Sequence, residues 1–566
     1  MKTNKIIKLI LVLGAITLKL SAQQKPNIVY MMADDCSSWD LGAYGSKDAI
    51  TPTIDGLAKQ GMMFTKCYQS SPMCSPTRQN ILTGLSPFRS GAYPNHTNVN
   101  RNVNSIAQYL KPLGYRVALS GKQHYGPSEN FPLEYLGKAK GKDLDPNFNN
   151  VDIFLKEAST QKQPFCLFVM SNQPHSPWNQ GDTTLLDKNK LTLPPFYADL
   201  PRTRSDFKAY LTEINYMDRQ VKQALDLLEK YRLSDNTIFV FASEQGNSFP
   251  FAKWTCYNVG LKSALIVRWP GKVKPNTVSN ALVEYSDITP TFIDIAGGKA
   301  IDSLDGKSIV PVLTGKTTEH KKYSYGQMTT RGVIGGSDYF PIRSVSNGKY
   351  RYIINLTPDV QFHNAVDNSA FFREWIKDAQ KNPKTKALVD KYIYRPKEEL
   401  FDDEKDPYNQ FNLINDSKLQ TVKSDLKKQL KLWMEKTGDN GIKTELLAFE
   451  HMPKNETGFK VVIDTVMQKP LKLADANYIK VPVDGYYTFY INGKGQLKVD
   501  NREVVKTELK ANEQDERYGV IGLRKGTHSL KMDDATKTSL AYSGPSTPLS
   551  NINGEKLKRK KVNNDE

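Results

Sequence analysis

Short apolar runs alternate with amphipathic stretches through the first half of the chain. Residues 27–32 (NIVYMM), 115–120 (YRVALS), 165–170 (FCLFVM) and 237–242 (TIFVFA) are apolar runs of strand length with little alternation. Between them, residues 53–60, 104–113 and 205–231 repeat apolar positions every three or four residues, the spacing of helices that bury one side. The stretch 71–84 (SPMCSPTRQNILTG) reads as a loop entering a helix closed by Gly84, and Gly61 is placed to cap the helix before it. Strands apolar on both faces need cover on both. The pattern predicts an α/β fold: a large mixed, mostly parallel sheet with helices on both faces.

From about residue 320 the pattern changes. Residues 340–356 read as two strands turning at Asn347-Gly348, and 417–437 as an amphipathic helix. Together they predict a small antiparallel α+β subdomain. After residue 456, the runs 485–492, 496–499, 502–505 and 529–532, separated by Gly and Asn turns, predict a C-terminal β-sandwich module. At the other end, Lys2, Lys5 and Lys8, an apolar run over 9–16 and the small pair Ser21-Ala22 form a signal peptide. The run is too short to span a bilayer, and no cysteine near the cut offers a lipid anchor. The expected division is 1–22 signal peptide, 25–320 N-terminal domain, 321–440 subdomain, 456–550 β-sandwich and 551–566 basic tail. The protein is expected to be exported, to the periplasm or beyond, with no membrane anchor.

Composition narrows the partners. Over 566 residues the formal net charge is +18, which draws in polyanions such as nucleic acid or sulfated polysaccharide. No stripe of basic and aromatic residues and no nucleic-acid module appears, so nucleic acid is not expected. Charged residues at 24% against 39% hydrophobic exclude a globally disordered chain. The five cysteines, odd in number and without a CxxC pair, fit neither a disulfide framework nor structural zinc.

Most candidate polar groups follow the carboxyl ends of predicted strands, where open α/β sheets bind ligands. Asp34-Asp35 ends the first strand. Two adjacent carboxylates in a buried setting call for a cation, and oxygen donors suit calcium or magnesium; a capping or solvated turn is the plainer alternative. Glu244-Gln245, after the strand at 237–242, could serve the same ion. Cys74, at the mouth of a helix with Arg78 four residues on, sits in a field that favours anions; it reads equally as a structural cysteine or a thiolate nucleophile. His124 and His175, two of only seven histidines, each follow an apolar strand and suit proton transfer. Lys122 and Lys253 could bind the oxygens of a sulfate or phosphate.

Cys74-Ser-Pro-Thr-Arg78 resembles the C-x-P-x-R signature of the type-I sulfatases, of the alkaline-phosphatase-like superfamily. Lys25-Pro-Asn-Ile-Val-Tyr with Asp34-Asp35, Gly121-Lys-Gln-His124, Pro174-His175-Ser-Pro177 and Arg268-Trp-Pro-Gly271 follow in the family's order, as do Asp287-Ile-Thr-Pro290 and Glu398-Glu-Leu-Phe-Asp402. The resemblance covers roughly residues 25–437. It implies a sulfatase acting on sulfate esters, on carbohydrates in view of the basic surface and export. Cys74 would become formylglycine through a formylglycine-generating or sulfatase-maturing enzyme. Asp34, Asp35, Glu244, Gln245 and the modified Cys74 would hold Ca2+. Arg78 would steady that group, Lys122 and Lys253 bind sulfate, His124 help expel it, and His175 protonate the leaving alcohol. His96 is a candidate sugar contact. Glu244-Gln245 departs from the family's usual Asp followed by Asn or His, each side chain being one carbon longer. The last hundred residues resemble a PA14-like module. Two rival functions stay open from sequence: a phosphomonoesterase or phosphodiesterase of the same fold, and a non-catalytic sulfated-polysaccharide-binding protein.

Overall fold

The computed structural model describes residues 25–451 except 140–143 and 338, then 463–464, and 477–551 except 493–494, 506–515, 534–538 and 546. The predicted leader and the tail beyond residue 551 lie outside the described residues. Among these no helix is long and apolar enough to cross a membrane.

The apolar runs form a nine-stranded sheet: β1 (Asn27–Ala33), β2 (Met62–Tyr68), β3 (Arg116–Gly121), β4 (Glu134–Tyr135), β5 (Phe165–Met170), β6 (Thr237–Ser243), β7 (Lys262–Arg268), β8 (Thr277–Ser279) and β9 (Val283–Glu284). The order is β4-β3-β5-β1-β6-β7-β2-β8, with β9 also on β2. β3, β5, β1 and β6 are mutually parallel, whereas β7 runs antiparallel between β6 and β2. The mixed, mostly parallel sheet agrees with the sequence pattern; β2 and β7 were not anticipated as strands.

β1 shows why its run lacks alternation. Val29, Met31 and Ala33 enter one core, and Ile28, Tyr30 and Met32 the other. The first core is closed by α1 (Pro52–Gln60), α3 (Phe148–Gln161) and the long α4 (Pro201–Lys230), the second by α2 (Cys74–Thr83) and α5 (Ile288–Ile295). On α4, Phe207, Tyr210, Leu211, Ile214, Met217, Val221, Ala224 and Leu228 are buried, the expected three-and-four spacing. Its start is four residues earlier than the periodicity suggested, because Pro201 opens the first turn without losing a hydrogen bond. The predicted helix 104–113 is shorter, Ile106–Leu110 followed by a 3-10 turn containing Pro112. Gly61 is not a left-handed cap: its φ is −137°, and any Cβ there would strike the Val267 carbonyl on β7. Gly84 does cap α2, at φ 70°.

β10 (Ser324–Met328), β11 (Ile342–Ser346), β12 (Tyr350–Asn355) and β13 (Glu398–Asp402) form an antiparallel sheet, with Asn347 and Gly348 in the β11–β12 turn. Helix α6 (Gln420–Thr437) covers it through Leu426 and Leu430. The C-terminal residues make a five-stranded and a four-stranded sheet sharing one core that includes Tyr487, Phe489, Leu497 and Ile521. This unit meets the rest through Tyr486 and Val520, packed on Tyr339 and Leu446.

Asp287, from the Asp-Ile-Thr-Pro stretch, is a buried anchor. Its carboxylate accepts the Glu284 and Lys307 amides, both at 2.8 Å, and lies 2.8 Å from Lys321 Nζ. Burial alone would raise this carboxyl, but Lys321 and His320 hold it at about 2. A carboxyl depressed by that much contributes about 2–3 kcal/mol above its unfolded value near 4. That contribution fades as pH falls through the folded value. Asp287→Asn should therefore lower the denaturation midpoint at neutral pH, and the gap to wild type should narrow as the titration is carried below about pH 4.

Candidate active site

Four parallel strands deliver their carboxyl ends to one edge of the sheet. β1 runs into Asp34-Asp35, β3 into Lys122 and His124, β5 into His175, and β6 into Glu244-Gln245. β2, two antiparallel steps from β6, points the same way, so the loop after it brings α2 and Cys74 there. The β6–β7 connection adds Ser248 and Lys253. Backbone bonds join these loops: Asp34 N–H donates to Gln173 C=O at 2.9 Å, Glu244 N–H to Ala33 C=O at 2.9 Å, and Trp254 N–H to Pro72 C=O at 3.0 Å.

The geometry of α2 accounts for the Cys-Ser-Pro-Thr-Arg spacing. Cys74 opens the helix. Pro76, third in it, forfeits nothing, because the first four N–H groups of a helix have no partner within it. Arg78, one turn on, shares the face of Cys74. All ten residues of α2 are buried. Arg78 Nη1 donates to the Lys122 carbonyl at 3.0 Å, and Nη2 stands 3.6 Å from Asp34 Oδ2. Its Nε lies 2.7 Å from Glu244 Oε1, out of line for a hydrogen bond.

The remaining groups close around the two aspartates. Lys122 Nζ contacts Asp34 Oδ2. Asp35 Oδ2 receives Lys253 Nζ at 2.6 Å and Ser248 Oγ at 2.7 Å, with His175 Nε2 at 3.6 Å. Gln245 Nε2 contacts Asp35 Oδ1 and lies 3.3 Å from Cys74 Sγ. One atom from each of Asp34, Asp35, Cys74 and Glu244 falls within 4.8 Å of the others.

Charges packed this closely, out of water, shift one another. Burial and the Asp34 carboxylate push Glu244 up to about 8, against the pull of Arg78. Burial would raise Asp34 and Asp35 as well, but Lys122 holds the first well below the usual carboxylate range, and Lys253 lowers the second. Burial pushes the Cys74 thiol far up, so an unaltered cysteine here is a neutral thiol. Burial lowers His175 against the pull of Asp35, and burial with Lys122 lowers His124 further.

The donor set fits a hard divalent cation. Asp34 Oδ1, both Glu244 carboxylate oxygens and Gln245 Oε1 are buried and accept no hydrogen bond. Four such oxygens together are costly, and an oxygen-seeking ion would satisfy them. The longer Glu244-Gln245 side chains still reach the cluster.

Residues 26–298 match the family model for Sulfatase, and 246–355 match the one for the N-sulphoglucosamine sulphohydrolase C-terminal region. The chain is 32% identical over 460 residues to an ulvan-active sulfatase of Formosa agariphila, covering 79% of this chain and 87% of that one. This chain is a member of the sulfatase family. Human N-sulphoglucosamine sulphohydrolase is 28% identical to this sulfatase over 482 residues, 76% of this chain and 93% of the other. A solved structure bound to its substrate, D-glucosamine-2-N,6-O-disulfate, superposes with a TM-score of 0.56 at 17% identity, covering 74% of this chain and 99% of that one. At that identity the likeness shows the shared fold.

The sulfatase thus gathers Asp34, Asp35, Cys74, Arg78, Lys122, His175, Glu244, Gln245 and Lys253 in one cluster, with His124 on the Lys122 loop. His96, expected as a sugar contact, has its Nδ1 2.8 Å from His124 Nε2. Ser248 escaped notice, being one serine among many. So did the left-handed backbone of Asp35 (φ 51°), His96 (57°), His124 (55°) and Trp254 (65°), which no sequence pattern reports. From His175 and Lys253 a pocket of about 410 Å³ extends past Trp178, Arg202, Asp206 and Ile334.

Proposed function

We propose that this sulfatase is an exported enzyme that removes sulfate from carbohydrate esters. Residue 74, converted from cysteine to formylglycine by a maturing enzyme, is its attacking group, beside a calcium ion held by Asp34, Asp35, Glu244, Gln245 and residue 74. The observation that carries this reading is the set of four buried oxygens beside Cys74 that accept no hydrogen bond, one of them ion-paired to Arg78. The named relatives, an ulvan-active sulfatase and an N-sulphoglucosamine sulphohydrolase, support a glycan substrate. The leader and the division of the chain near residues 320 and 440 stand as parts of the same proposal.

Calcium would offset the charge of the sulfate oxygens and polarise the ester. Formylglycine, hydrated, supplies one hydroxyl to attack sulfur and a second whose ionisation releases sulfate. The other roles follow from the chain's own side chains. Lys122 and Lys253 are buried cations aimed at the cluster, and each can bind a sulfate oxygen. His175 Nδ1 lies 2.7 Å from the Ser176 carbonyl, which can only accept, so Nδ1 carries a proton. When the ring takes up its second proton, that proton is on Nε2, the nitrogen facing Asp35, from which it can pass to the leaving oxygen. Trp178, half-buried and stacked on Phe249 at 5.0 Å, offers an aromatic wall against which a sugar ring can rest.

Sulfate release from a panel of defined sulfated sugars, using protein co-expressed with a maturing enzyme, tests the proposal. Absence of release from every sulfate ester, or equal turnover of phosphate analogues, would overturn it. His175→Ala should lower kcat on a sugar sulfate by about 10²–10⁴-fold. An aryl sulfate, whose phenolate leaves without a proton, should be much less affected.

A further inference from the structure

His96 and His124 come from different loops, yet their rings meet. Nδ1 of His96 is 2.8 Å from Nε2 of His124, and the ring centroids are 4.7 Å apart. Both hold a left-handed backbone, which costs on the order of 1–3 kcal/mol and persists where the surroundings enforce it.

Here the surroundings are tied to α2. Asn95, before His96, donates its N–H to Arg331 C=O at 3.0 Å; its side chain accepts from Ser75 N–H at 3.4 Å and donates to Gly332 C=O at 3.2 Å. Thr97, after His96, accepts Gln79 Nε2 on its carbonyl at 2.8 Å. Gln79 Oε1 in turn accepts Gly126 N–H at 3.4 Å, two residues past His124. One glutamine on the helix of Cys74 and Arg78 therefore clamps both histidine loops. The second ring nitrogen of His124, Nδ1, is buried with no hydrogen-bond partner among the described residues.

We propose that His96 is a positioning residue that fixes the orientation and tautomer of His124. The inference rests on the reading of His124 as a base in sulfate release. Two neutral imidazoles facing each other through one nitrogen apiece place a single proton between them. His124 Nε2–H donates to the His96 Nδ1 lone pair. His96, which is exposed, carries its own proton on Nε2, and His124 Nδ1 is left as a bare lone pair. The charges acting on the pair are Lys122, Arg78 and Lys253, opposed by Asp34. Burial and the excess of cations keep both rings neutral. His124 Nδ1, buried with no acceptor beside it, holds the lone pair because an orphaned buried N–H is rarer and costlier than an orphaned acceptor.

The test compares wild type, His96→Ala and His96→Asn on a sugar sulfate and on a sugar-free aryl sulfate. It adds ring-nitrogen NMR of selectively ¹⁵N-histidine-labelled protein. His96→Ala should lower kcat by about 10–100-fold on both substrates, with KM moving by less than about threefold. His96→Asn, whose amide oxygen takes the place of Nδ1 as acceptor, should restore most of the rate. His124 should read as the Nε2–H tautomer in wild type and in the Asn variant, and as a mixture in the Ala variant. A rise in KM confined to the sugar substrate would assign His96 to sugar binding and overturn the proposal, as would an unchanged His124 spectrum in His96→Ala. If wild type releases no sulfate at all, the functional reading fails, while the spectra still decide whether His96 sets the tautomer.

Discussion

Cys74→Ala is expected to abolish turnover, lowering sulfate release by about 10⁵-fold or more, as removal of a nucleophile does when the rest of the site acts only through it. The thiol is small and buried at the start of α2, so its loss should cost about 1 kcal/mol of stability and leave the fold intact. Cys74→Ser gives a sharper outcome. Serine can offer one hydroxyl to sulfur but has no second hydroxyl to eject the product. A single sulfate should remain bound to residue 74, visible by peptide mass spectrometry, with no further release. In active wild type the same peptide should show sulfur and two hydrogens replaced by one oxygen. An intact thiol in active protein would refute the assignment.

Arg78→Met should be the most damaging change to stability. Arg78 is fully buried and faces two carboxylates, Asp34 and Glu244. Methionine keeps much of the volume but leaves both acids without their guanidinium. Removing one partner from a buried ionic cluster typically costs about 3–5 kcal/mol. Glu244, already raised by burial, should rise further and become protonated across the neutral range. The denaturation midpoint should fall by several degrees, and activity should vanish with it. A double change, Arg78→Met with Glu244→Gln, should recover part of the stability and none of the activity. If the single variant were as stable as wild type, the ionic account of the cluster would be wrong.

Much of this arrangement was legible in the chain because function and fold use the same positions. A parallel strand buried on both faces reads as an unbroken apolar run, and the residue that ends the run must lie at the sheet's carboxyl edge. That logic located Asp34, Lys122, His175 and Glu244. It did not find β2, whose polar interruption at Thr65-Lys66 resembles a loop, or β7, whose apolar run is only the four residues 264–267. Gly61 was misread because a glycine required for close approach looks the same in sequence as one required for a left-handed turn. The pairing of His96 with His124 was hidden for a different reason. It depends on Gln79, a residue with no chemical signature of its own.

The depth of α2 also has a bearing on when the proposed modification of residue 74 can take place. Cys74 is 3% exposed, and every other residue of its helix is enclosed as well. Enclosed to that depth, residue 74 leaves no room for the catalytic cleft of another protein. Under the proposed maturation, oxidation of the cysteine would have to happen on the growing or unfolded polypeptide, before the β2–α2 segment docks. A chain that folds ahead of its modifying partner would be well packed, long-lived and permanently idle.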